Sequence, residues 1–341
     1  MLRAFATLSA LASLVSASPS SAPVQPSAAQ EHLAPFRELD RVEGDALDLL
    51  FAPVRPMAMR AADGHLFAVN SHDSTVVEYD DQGDLLRTIR VPWGPVSLAL
   101  WSPSWARGSD YLLVVCRGSY TLTYVDLSSG RIVRLVDLPA EPADILIHPT
   151  SNHAFVTCSG DDSVVEVNVR TAQIIQRYEI PSKRPTFMCL DGDDVLVAPM
   201  LSGNNSLVDT GSFILDPGPG RVLDLEDTNI ASQGLADHDL FRISPGSDAL
   251  PIATDMGAVL FAMGMNPVTG DLWQLGTEAN NKDATRVGEP AVRGDFIVNQ
   301  IAIAQLAAGS VVAPGVVINM DDADPATGGV QFDSSRSVGQ P

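Results

Sequence analysis

Residues 66–91 read LFAVNSHDSTVVEYDDQGDLLRTIRV, residues 112–138 read LLVVCRGSYTLTYVDLSSGRIVRLVDL, and residues 154–180 read AFVTCSGDDSVVEVNVRTAQIIQRYEI. Each stretch holds an apolar strand, a polar turn, a second alternating strand, another turn and a third strand. Asn70, Cys116 and Cys158 hold the same place, so the steps are 46 and 42 residues. A period near 40 built from strands and turns alone is that of a propeller blade. The alternation is period two, with Val165, Val167 and Val169 on one face and Val164, Glu166 and Asn168 on the other. The reading is therefore all-β: a β-propeller of four-stranded antiparallel blades.

Working outward, blade one runs from Pro56 to Val91, blade two from Val96 to Leu138 and blade three from Ala143 to Ile180. Gly64, Gly83 and Gly130 stand where turns call for positive φ. Pro92, Pro139 and Pro181 each end a ladder and start the crossing to the next blade. Blade four opens with FMCLDGDDVLVAPM (187–200), is interrupted by an insertion over 201–239, and resumes with DLFRIS and ALPIATDM. Blade five takes VLFAMGMNP, DLWQLGTEANN, VRGDFIVNQIAIAQL and the run 310–320. About five blades are visible. A propeller leaves edges exposed until it closes, so an incomplete seven-bladed ring is favoured over a five-bladed one.

Residues 1–22 read as a signal peptide: Arg3, then the apolar run AFATLSALASLV, then small-residue cleavage patterns. That apolar run is too short to span a bilayer and no longer one follows, so no membrane span is expected. Residues 23–35 form a Ser/Pro/Ala-rich leader, 36–320 the propeller and 321–341 a disordered tail. The expected location is periplasmic or extracellular.

The 341 residues carry 21 Lys and Arg against 42 Asp and Glu, a net charge of −21. Such a chain repels phosphate backbones, so nucleic acid is not an expected partner. The acidic residues are spread over turns and serve solubility; calcium in Asp-rich turns is the sharper alternative. Cys116, Cys158 and Cys189 are an odd set. Blades pack about 10 Å apart, too far for a disulfide, so all three are expected free, as small apolar residues. None shows CxxC spacing, and no zinc or dithiol site is indicated.

The blades resemble the YVTN-type repeat of bacterial propeller proteins, in Asn70, Ser74–Asp80 and Gly83, and again in Val156–Cys158, Ser163–Asn168 and the turn 170–173. Blade two departs, with Ser119-Tyr120 in place of the usual turn. VRPMAM (54–59), WGPVSLALW, LPAEPADILIH, LSGNN, DHDLF and TEANN…VRGDFIVN look like exported bacterial propellers. Some members of that group carry a c-type cytochrome or haem-peroxidase-like module. This chain has no CxxCH, so the resemblance implies no covalent haem here, and no cofactor is identified.

Binding in propellers uses loops around the channel mouths. NSHD (70–73) and its equivalents CRGS (116–119), CSGD (158–161) and GTEANN (276–281) would turn Asn70, His72, Asp73, Arg117, Asp161, Glu278 and Asn280 toward one face, unless these are ordinary solvated turns. DHD (237–239) adds His238, which between carboxylates can bind metal or act as a base, although short Asp/His turns are commonly structural. There is no GxSxG, HExxH or GxxxxGK[ST]. Trp93, Trp101 and Trp105 either fill space between blades or stack on a ligand. The reading is an exported binding module for an unidentified protein, glycan or small molecule. The alternatives are the propeller portion of a haem-dependent redox protein, or a lactonase-like metal-dependent hydrolase.

Overall fold

The computed structural model describes residues 52–103, 110–202, 238–244, 246–279, 297–307 and 310–320. The expected signal segment, leader, tail, Trp105 and most of the blade-four insertion lie outside them.

The described strands form five antiparallel meanders of four. Blade one holds β1 (Met57–Met59), β2 (Leu66–Asn70), β3 (Thr75–Tyr79) and β4 (Leu85–Arg90). Blade two holds β5 (Pro95–Trp101), β6 (Tyr111–Cys116), β7 (Thr121–Asp126) and β8 (Arg131–Asp137). Blade three holds β9 (Pro142–Ile147), β10 (His153–Cys158), β11 (Ser163–Asn168) and β12 (Gln173–Glu179). Blade four holds β13 (Lys183–Asp191), β14 (Asp194–Leu201), β15 (Leu240–Ile243) and β16 (Leu250–Ala253), so the insertion separates its second and third strands. Blade five holds β17 (Val259–Met265), β18 (Leu272–Ala279), β19 (Ile297–Ala304) and β20 (Val316–Asn319), and joins blade four through the Leu201–Val259 pair.

β1 touches β5, β5 touches β9, β9 touches β13 and β13 touches β17. The first strand of each blade therefore faces its counterpart in the next, and these five strands form the hub. The fold is a β-propeller.

Four apolar clusters hold it together, one at each junction between neighbours. Phe67, Val76, Leu98 and Leu112 join blades one and two; Leu113, Leu122, Ile145 and Val165 join two and three. Phe155, Val164, Met188 and Phe241 join three and four; Leu196, Leu240, Leu260 and Leu272 join four and five. Among the described residues no such cluster joins blade five to blade one. Met57 and Met59 stay exposed at one end of the arc, and Trp273 and Leu275 at the other.

The crossings repeat in detail. In blades one to three the residue after the last strand is buried, and its N–H donates to the residue just before the third strand: Val91 to Ser74, Leu138 to Tyr120 and Ile180 to Asp162. Those acceptors have φ of 53°, 55° and 46°. Gly64, Gly83 and Gly130 take the expected positive φ. The left-handed Ser, Tyr and Asp were not anticipated, because nothing in their residue type requires that conformation. The hydrogen bond to the crossing holds them there.

All three cysteines are free, and Cys116 and Cys158 are fully buried. Burial pushes each thiol up to about 12. The thiolate is the reactive form, so the native protein at pH 8 should resist a thiol reagent at all three positions, and all three should label once guanidinium unfolds it. Rapid labelling of native Cys116 or Cys158, read by mass spectrometry, would contradict this burial.

Candidate functional site

Two rims bound the arc. The loops between second and third strands share a rim with the blade crossings. Arg117 donates its N–H to the Gly94 carbonyl, Ser119 to Trp93, Ser159 to Glu141 and Gly160 to Ala140. Asp73, Ser119, Asp161 and His238 each stand two residues before a third strand. They occupy this rim on four successive blades.

The expected residues do not gather at one point there. Asn70, His72 and Asp73 come together with Thr75, Val77, Thr88 and Arg90 around a concavity of about 420 Å³ on blade one. The Asn70 amide donates to Asp73 Oδ2 at 2.8 Å and fixes the loop. Thr75 pairs with both Asn70 and Arg90, and Val77 with Thr88, so these side chains share one sheet face. It is the face bearing Met57, turned away from blade two. Thr75, Val77, Thr88 and Arg90 were missed because they belong to strands rather than turns. Period-two alternation across the hairpin was the signal that could have found them.

Arg117 and Asp161 are engaged elsewhere on the rim. The Arg117 guanidinium pairs with Glu141 on the crossing into blade three, and Arg184 reaches the same carboxylate at 2.8 Å. Partial burial raises the Glu141 pKa, but the two guanidinium groups outweigh it and hold the carboxyl below its ordinary value. Asp161 pairs with Arg177 at 2.9 Å, and neighbouring Asp162 with Lys183. These charges tie blades and crossings together. Gly118 belongs to the same joint: a Cβ there would fall 2.7 Å from the Trp93 ring. Trp93 and Trp101 pack against the cluster between blades two and three.

His238 leads into β15, with its ring edge-on to Phe241 at 5.9 Å. Among the described residues its buried Nδ1 has no hydrogen-bond partner. Asp239 is fully buried and accepts the Met256 N–H at 2.6 Å. The described part of the DHD triplet thus serves the joint between blades four and five. GTEANN is read both as the end of the strand 271–281 and as the equivalent of the NSHD loop, and the second reading needs correction. Gly276, Thr277 and Glu278 continue β18 and pair with Gln300, Asn299 and Val298 of β19. Asn280 lies outside the described residues. Among the described residues no group of three or more His, Cys, Asp or Glu is arranged to hold a metal ion.

The ion pair at the hub has no marker in the sequence. Val54 and Arg55 run along β5, with the Val54 N–H on the Val96 carbonyl and the Leu98 N–H on the Arg55 carbonyl. From there the Arg55 guanidinium donates to both oxygens of Asp144, at 2.9 and 3.0 Å, and to the Met188 carbonyl at 2.9 Å. Asp144 also accepts the Ile145 and Met188 N–H groups. Burial raises the pKa of this carboxyl, against the pull of Arg55 and the two amides. One side chain thus ties the entry to blade one to blades three and four.

On blade one, Arg60 donates to Asp63 and holds that carboxyl down to about 2. The folded pKa lies below the ordinary carboxylate value. Asp63 therefore adds stability above about pH 4 that is lost as pH falls toward 2. The gain is small because the pair is partly exposed. An NMR titration of Asp63 should show a midpoint near 2, returning to the ordinary range in Arg60→Ala; a midpoint near 4 in the unaltered protein would contradict the pair.

No family model matches the chain, and neither does any curated protein. Solved structures do. Hydrazine synthase of Kuenenia stuttgartiensis matches over 80% of this chain and 67% of its own, with a TM-score of 0.54 and 16% identity. Virginiamycin B lyase of Staphylococcus aureus matches over 73% and 65%, with a TM-score of 0.47 and 11% identity. The likeness to hydrazine synthase is one of fold. This chain spans about two thirds of the length of each. No described helix is long and apolar enough to cross a membrane.

Proposed function

We propose that this chain is an exported binding module whose blade-one concavity takes a polar, hydroxyl-bearing ligand of the saccharide class. The observation that carries this reading is the convergence of Asn70, His72, Asp73, Thr75, Thr88 and Arg90 on one recess, with Val77 the apolar member. An amide, a carboxylate, two hydroxyls, an imidazole and a guanidinium supply donors and acceptors in the mixture that hydroxyl groups need. Sites for apolar ligands are lined mainly by hydrophobic and aromatic side chains instead. Among the described residues the recess lies at one end of the arc. In this reading the five described blades belong to a larger ring, and the module works without a haem attached to its own chain.

Neutral oligosaccharides of the gluco-, chito- and manno-series should be titrated into the purified chain while the His72 imidazole is followed by NMR. Saturable shifts are expected, weakened about tenfold or more in Arg90→Ala and Asn70→Ala if each loses a buried hydrogen bond worth about 1.5 kcal/mol. Absence of saturation across the three series would overturn the ligand class. Hydrolytic turnover abolished by changing His238 would overturn the binding-module reading itself.

A further inference from the structure

The repeat register sets three positions in parallel. The fourth residue of the third strand is Glu78 in blade one, Tyr124 in blade two and Glu166 in blade three. Five residues before Asn70, Cys116 and Cys158 stand His65, Tyr111 and His153. In blade one the buried Glu78 carboxylate accepts from His65 at 2.9 Å and from Arg87 directly across the hairpin. In blade three Glu166 pairs with His153 and accepts the Tyr178 hydroxyl at 2.7 Å.

Blade two keeps the cation and lacks the carboxylate. Arg134 sits opposite Tyr124 as Arg87 sits opposite Glu78. Its Nη1 donates to the Arg170 carbonyl at 2.8 Å, and among the described residues no carboxylate pairs with it. Trp101, Tyr111, Tyr124, Val133, Arg134 and Arg170 line a pocket of about 130 Å³. Tyr124 is 1% exposed, and among the described residues its buried hydroxyl has no hydrogen-bond partner. A buried hydroxyl in that state costs free energy that a suitable acceptor would recover. The Trp101 and Tyr111 rings lie 5.4 Å apart at 34°. The pocket is smaller than the enclosed cavity of about 150 Å³ that holds benzene but opens to solvent, so it accommodates a single ring with one edge left outside.

We infer that this pocket binds a small aromatic monocarboxylate of the benzoate class, whose carboxylate takes the place that Glu78 and Glu166 fill from within their own blades. The ring would lie among Trp101, Tyr111 and Val133. The carboxylate would accept from the Arg134 guanidinium and the Tyr124 hydroxyl. This site is on the opposite rim from the blade-one recess, where β5 ends at Trp101 and β6 begins at Tyr111, so the two proposals fail or succeed separately.

The test is calorimetric titration of the full chain with sodium benzoate, and in parallel with neutral benzamide, while the Trp101 indole N–H is followed by NMR. Benzoate should bind saturably and shift Trp101, with benzamide at least about tenfold weaker, the factor expected for losing a charge-assisted hydrogen bond. Arg134→Gln should weaken benzoate by a similar factor. Tyr124→Phe removes only the orphaned hydroxyl, so it should fold normally and still weaken benzoate several-fold. No saturable binding to the unaltered chain overturns the inference. Equal binding of benzoate and benzamide overturns it, and so does benzoate binding indifferent to both variants.

Discussion

Asp144→Ala should destabilise the protein by about 3–5 kcal/mol, the range for breaking a buried ion pair by removing one partner. The carboxylate is 2% exposed and accepts two bonds from Arg55 and one each from the Ile145 and Met188 amides. Its loss strands two buried N–H groups and releases the link from Arg55 to blades three and four. Urea unfolding would read the loss as a lower midpoint. Arg55→Met with Asp144→Leu should cost less than Asp144→Ala alone, because no charge is then left behind. A change below about 1 kcal/mol in Asp144→Ala would show that the hub does not depend on this pair.

Phe155→Ala should cost about 3–5 kcal/mol, as for other buried phenylalanines cut to alanine. Phe155 is 2% exposed and packs among Leu146, Val164, Met188, Val195 and Phe241. Its ring centroid lies 6.3 Å from that of Tyr178. Those partners come from blades three and four, so the cavity would open inside their junction. Phe155→Leu keeps most of the volume and should lose only about 1 kcal/mol. Equal losses in the two variants, by urea midpoint, would argue against a packed junction.

Most of the strands were legible because each strand alternates and each blade repeats the alternation. Val164 and Val165 face different clusters, and the sequence shows that directly. Blade five was readable despite the long gap before it, since Leu260, Leu272 and Ala302 keep the pattern. The ion pairs were not readable. Arg55 and Asp144 are 89 residues apart, and no local pattern joins them. Arg117 and Asp161 look like loop charges in sequence, while the fold brings Glu141 and Arg177 to meet them. The strand members of the blade-one recess were hidden for a related reason: Thr88 and Arg90 reach Asn70 only through two successive strand pairings.

Because every cohesive cluster spans only one junction, blades two, three and four each have two packed neighbours, while blades one and five have one apiece among the described residues. Among the described residues the apolar packing is therefore that of a short linear array, in which end units open more readily than central ones. Amide exchange should therefore be slowest along β6, β10 and β11 and quicken toward β1 and β20. The blade-one recess would then sit on one of the units most ready to fray, so an occupant there would slow exchange well beyond the groups it touches.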